Sequence, residues 1–225
     1  MPSLCRRPSQ EVLPLLAEVE KRIRQTWAAS RPHHSPNLSR FEAEAQRAGA
    51  TLQEVSDLQV AGVSVAALGK AGGVSLCQVA DPDLAKESDL ESALAEVGIG
   101  LVAGPSPEPI LQAGIGVTRA VAGVAETGSI LVYLDEVDGR LLTMLPEIHV
   151  AFLHRDAVVG SMEDGLLLTR YLALKSHAEK RPSYLSWVTG PSRTADIERV
   201  LTIGVHGPRE LHIFLLPPTG KGYLP

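Results

Sequence analysis

Cysteine is scarce in this sequence: Cys5 and Cys77 stand far apart in 225 residues, and neither has a C-x-x-C partner. That scarcity excludes a disulfide framework and any four-cysteine metal or iron–sulfur site built by this chain alone. It also fits a reducing compartment. Aromatic residues make up only 4% of the chain, so the core has to be assembled from Leu, Val, Ala and Ile. No apolar run approaches the roughly 18 residues of a membrane-spanning helix. The opening MPSLCRRPSQEVLPLL lacks the sustained apolar stretch and small-residue cleavage site of a secretory signal. Together these absences predict a cytoplasmic protein. Basic excess is missing too, with 21 Lys and Arg against 26 Asp and Glu and a formal net charge of −5. No concentrated basic block occurs, so nucleic acid is not an expected partner. Walker, G-x-G-x-x-G and G-x-S-x-G patterns are absent, which leaves nucleotide hydrolysis and serine esterase chemistry without support.

What is present reads as alternating helix and strand. Val12, Leu15, Leu16, Val19, Ile23 and Trp27 recur at three- and four-residue steps, one helical face from Glu11 to Trp27. SRPHHSPN then reads as a loop or linker. Its adjacent His33 and His34 do not form the convergent ligand set a metal needs, and no metal site is expected. The spacing predicts a helix over Arg40–Ala48 ending at Gly49, a strand near Ala50–Val55, and a helix from Leu90 to Val97 opened by the capping pattern Ser88-Asp89-Leu90-Glu91. Gly98–Ala103 reads as a short buried strand. Gly104–Gly116, with three prolines and three glycines, reads as a loop. Strands are expected at Ala120–Ala125, Ser129–Leu134, Ile148–Leu153, Tyr184–Val188 and Leu211–Leu216, and a helix at Leu166–Leu174. The order argues for an α/β layered sheet, with residues 1–36 as an N-terminal helical arm and linker and residues 37–225 as the α/β domain.

Several segments carry chemistry-bearing side chains. Gly190-Pro191-Ser192-Arg193-Thr194-Ala195-Asp196-Ile197-Glu198 follows a predicted strand and is expected to open a short helix that stops near Gly204. A glycine-bearing turn at a helix N-terminus presents free amides, and Arg193 adds a planar cationic donor fork suited to a carboxylate or phosphate. The plain alternative is an ordinary N-cap by Ser192 or Thr194, with Asp196 and Glu198 serving the helix dipole. Gly204-Val205-His206-Gly207-Pro208 forms a tight turn whose His206 titrates near neutrality or serves only as a structural hydrogen bonder. Glu126, in the Glu126-Thr127-Gly128 turn, acts as acid, base or nucleophile if its apolar flanks bury it, and is a solvent-facing turn residue if they do not. Gly116, Thr118 and Arg119 read as a further glycine-bearing turn. His149 alternates with Ile148, so the two face opposite sides of a strand, which turns His149 toward a cleft or into a satisfied core position.

Taken in order, four blocks, Val117-Thr118 through Ala125-Glu126-Thr127-Gly128-Ser129, Leu145-Pro146-Glu147-Ile148-His149, Gly190 to Glu198 and Gly204 to Pro208, resemble the signature of the lactate-utilization (LUD) domain family. Ser129 stands where a threonine is common and keeps the hydroxyl. The resemblance implies a mainly parallel sheet flanked by helices, of the NagB/RpiA/CoA-transferase-like kind. It implies a place beside two iron–sulfur proteins that together convert L-lactate to pyruvate, with clusters on those partners and no cofactor in this chain, which is similar to the short, cluster-free members. It also suggests Arg193 with the amides after Ser192 as an anion grip, Gly207 beside it, and His149 and His206 as polar lining. By fold analogy, Glu126 is the nucleophile of an alternative acyl or CoA transferase; a ligand-free assembly or regulatory protein is the third reading.

Overall fold

A computed structural model describes residues 9–28, 36–104, 106–134, 137–179, 184–195, 201–204 and 206–219. Six strands form a wholly parallel sheet. They are β1 (Thr51–Glu54), β2 (Leu76–Val79), β3 (Gly100–Ala103), β4 (Ile115–Val124), β6 (Ile148–His154) and β11 (Glu210–Leu216), in the spatial order β1-β11-β6-β4-β2-β3. β6 is buried along nearly its whole length, as a central parallel strand covered on both faces must be. β4 outruns that sheet. Its second half pairs antiparallel with β5 (Ser129–Leu134) and parallel with the short β7 (Val158–Val159), and β5 pairs antiparallel with β8 (Tyr184–Val188). The chain is therefore α/β, with a mixed, mostly parallel sheet flanked by helices.

Helices cover both faces. On one, α3 (Leu58–Ala71), α4 (Pro82–Glu87) and α5 (Leu90–Glu96) bury Val65, Leu84, Leu90 and Leu94 against Cys77, Ile115, Val117, Val150 and Phe152. On the other, α2 (Pro36–Arg47) buries Phe41 and Ala45 against Ala120, Ala151, Ile213 and Leu215. α1 (Ser9–Ala28) lies along α7 (Met162–Glu179), its Val19 and Ile23 packed with Leu168, Tyr171 and Leu172 over Ala122 and Leu131. Two such side chains contribute about 1.5–3 kcal/mol each, so α1 is held onto the α/β body.

Four local expectations are corrected. The helix at Leu90 forms, but Ser88 is not its cap. The Ser88 hydroxyl donates back to the Leu84 carbonyl (2.6 Å) and ends α4, while Asp89 takes a left-handed conformation to start α5. The Gly104–Gly116 stretch contains a short helix, α6 (Pro107–Ile110), and ends inside β4. Gly116, Thr118 and Arg119 are strand positions of β4, not a turn, because all three pair with β6 and Gly116 also pairs with β2. Among the described residues no helix opens after Ser192. Arg193–Ala195 is strand β9, paired antiparallel with β10 (Leu201–Ile203). The N-capping letters of that segment are outcompeted by the hairpin ladder, which satisfies the same backbone groups. Asp196 lies outside the described residues, as do His33 and His34.

Candidate functional site

The separate sequence blocks meet around the C-terminal half of α2. Phe41 lies over Gly123, where an added Cβ would stand 2.9 Å from its ring; Ala45 lies over Gly128 and Ala48 over Gly190, closer than any real side chain allows. Gly128 and Gly190 also have φ of +65° and +70°, a region that costs other residues about 1–2 kcal/mol. These glycines let a helix backbone rest directly on two turns. Thr127, Ser129 and Thr189 join into a hydroxyl chain beneath it (2.8 and 2.6 Å). The Arg193 guanidinium donates to the Ala48 carbonyl at 2.6 Å, at the negative end of α2.

The remaining blocks join where β6 and β11 begin. The Ser192 amide donates to the Pro208 carbonyl (2.8 Å) and the Gly204 amide to the Ser192 carbonyl (3.0 Å). The Arg209 and Glu210 amides both donate to the Glu147 carbonyl (2.8 and 3.2 Å). A Cβ on Gly207 would lie 2.9 Å from that of Ser192, so the third and fourth blocks are in contact. Pro191 and Thr194 flank this junction, Thr194 paired in the hairpin with Thr202. His206 is exposed beside it.

Glu126 and His149 have opposite surroundings. Glu126 is exposed, and its carboxylate accepts the amide of Met162 (2.8 Å), the first residue of α7. The burial on which its acid–base reading depended is absent. His149 is 1% exposed, and its Nε2 shares a 2.9 Å hydrogen bond with the Thr118 hydroxyl. Burial pushes its pKa down from 6.5 to about 4, so the ring is neutral at physiological pH. Its Nδ1 has no partner among the described residues.

Sequence reasoning passed over Gln78. It is fully buried in β2, its amide nitrogen bound to the Gly104 and Ser106 carbonyls (2.8 and 3.1 Å) and its Oε1 without a partner among the described residues. A lone amide inside the apolar Leu76-Cys77-Gln78-Val79-Ala80 was the available signal, since a buried polar side chain needs a reason. Cys77 beside it faces the opposite core, its thiol pushed up to about 12 by burial, which makes it a poor thiolate ligand. Among the described residues no three His, Cys, Asp or Glu side chains gather as a metal-binding group, and no helix is long and apolar enough to cross a membrane.

Comparison with known proteins gives a consistent picture. The LUD domain family model matches residues 38–216. Lactate utilization protein C of Halalkalibacterium halodurans is 38% identical over 98 residues, 43% of this chain and 41% of that protein. Its Bacillus subtilis namesake is 32% identical over 97 residues, 43% and 40% of the two chains. The uncharacterized protein YkgG of Escherichia coli is 36% identical over 98 residues, again 43% and 41%. The matches thus span about two-fifths of the length of these curated relatives. Among solved structures, a DUF162 family protein from Deinococcus radiodurans superposes with a TM-score of 0.50 at 22% identity, covering 80% of this chain and 96% of the other, which supports the fold.

Proposed function

This chain belongs to the LUD domain family, and from that premise we propose that it serves lactate utilization as an accessory, non-redox protein. In this reading it works beside two iron–sulfur proteins. Oxidation of L-lactate to pyruvate removes two electrons and two protons, one proton from the C–H of the hydroxyl-bearing carbon and one from its hydroxyl, and the partners' clusters take the electrons. The supporting observation is the joining of four separated sequence blocks into one band around α2 and the starts of β6 and β11. The names of the relatives point the same way. The composition agrees, because two cysteines, one of them buried, cannot hold a cluster. A small carboxylate or phosphate held by Arg193 at the Gly190–Thr194 turn is a separable part of the same proposal.

The test is to co-express this chain with the two iron–sulfur proteins and to measure co-purification together with lactate-dependent acceptor reduction. Association, with reduction that disappears when this chain is omitted, is expected. Arg193→Ala is expected to lower the rate by about tenfold or more if the turn holds the carboxylate, since a charge-assisted contact is lost. Full lactate oxidation without this chain sinks the proposal. A hydroxylamine-sensitive thioester at Glu126 replaces it with acyl transfer. Association with no effect of any site variant on rate leaves an assembly protein.

A further inference from the structure

Pairing registers place Gln78 of β2 beside Gly116 of β4, and Gly116 beside His149 of β6. In a parallel sheet, paired positions point to one face, here the face opposite Cys77, Val117 and Val150. Gln78 and His149 therefore flank a residue without a side chain, about 10 Å apart from Cα to Cα by two strand spacings. Thr118, two positions along β4, completes the row through its bond to His149. Both flanking side chains are buried, and each keeps one polar atom without a partner among the described residues, Gln78 Oε1 and His149 Nδ1.

The centre of the row is closed by a strap. The 3-10 segment Val137–Thr143 and the residues to Pro146 pass over Gly116, where the Leu142 carbonyl sits where a Cβ would go and Pro146 Cγ lies 2.9 Å from that position. Beyond Gly116, Met144 and Leu145 of the strap are exposed at 45% and 47%. Each buried polar atom left without a partner costs about 1–3 kcal/mol, so closure leaves a standing cost that a bound molecule can relieve. None of the row's side chains carries a charge at neutral pH. Gln78 Oε1 requires a donor. His149 Nδ1 is a donor or an acceptor according to which way the Thr118 hydroxyl points.

We infer that the strap lifts from Gly116 and that the row Gln78–Gly116–His149 takes a small uncharged molecule bearing a hydroxyl or amide donor and an acceptor. An anion is disfavoured there because no cation in the row compensates its desolvation. The site is distinct from the Arg193 turn, and only the choice of probe rests on the lactate reading.

The test uses the full chain and a matched pair of probes, lactamide, which is uncharged, and L-lactate, at pH 8. The imidazole signals of His149 are followed by NMR. Lactamide is expected to shift them saturably, with L-lactate more than about tenfold weaker. Gln78→Met, with folding checked by thermal melting, is expected to abolish the lactamide response. No saturable shift with either probe overturns the inference and assigns the two atoms to buried water. Equal or tighter binding of L-lactate overturns the uncharged class, and this comparison on the unsubstituted chain stands even if Gln78→Met does not fold. Lactate-dependent acceptor reduction is measured separately. A row that takes lactamide in a chain the lactate system does not require keeps this inference and removes the functional proposal.

Discussion

The cradle that receives α2 and the polar row beneath the strap use the same device for different ends. In each, a glycine lets backbone settle where a side chain would stand: Gly128 under Ala45, Gly116 under the Leu142 carbonyl. In the cradle the neighbouring polar groups are matched, with three hydroxyls in a chain and Arg193 on the Ala48 carbonyl. In the row, Gln78 Oε1 and His149 Nδ1 have no partner among the described residues. Close packing with satisfied groups makes a rigid joint. Close packing over unsatisfied groups makes a contact that another molecule can displace.

The sharpest way to break this comparison is at the glycines. Gly128→Ala combines a left-handed conformation with a backbone clash, and should destabilise the chain by about 2–5 kcal/mol in urea unfolding. Next comes the pH dependence of the row. His149 has a folded pKa of about 4 against an ordinary 6.5, so below pH 6.5 the unfolded chain binds the proton and the folded chain does not. Stability is therefore full above that range and falls as pH drops toward 4, by about 3 kcal/mol from this group. His149→Leu should flatten that part of the profile, and an unchanged profile would put the titration elsewhere.

Gly116→Ala has no positive φ to violate, so its cost should be smaller than that of Gly128→Ala, about 1–3 kcal/mol. The loss should appear with faster amide exchange at Met144 and Leu145, whose amides now donate to the Leu141 carbonyl. An equal cost at both glycines would erase the distinction drawn here. Arg193→Ala should shift stability least, by about 0.5–1 kcal/mol, because an exposed guanidinium on a helix carbonyl is screened by water. Thermal melting with and without added salt checks it.

Much of the layered architecture was legible because its signals are local. The stripe from Val12 to Ile23 is the buried face of α1, and the apolar runs at Ile148 and Leu211 are β6 and β11. The Gly190–Glu198 segment misled because a Ser, a Thr and two acids suit both an N-cap and a polar hairpin, and only the partner strand decides between them. Glu126 illustrates the same limit. Its place in a turn was readable, but its exposure depends on where α7 begins.

By itself the sequence determined the family, the alternation of helix and strand, and the lack of cysteines for a cluster, because these are properties of order and composition. Tertiary structure decided that Arg193 meets a helix carbonyl, that Gly128 and Gly190 carry α2, and that Gln78 and His149 flank one glycine. Those relations join residues far apart in the chain. Strand register and close backbone packing create them, and neither is written in any single segment.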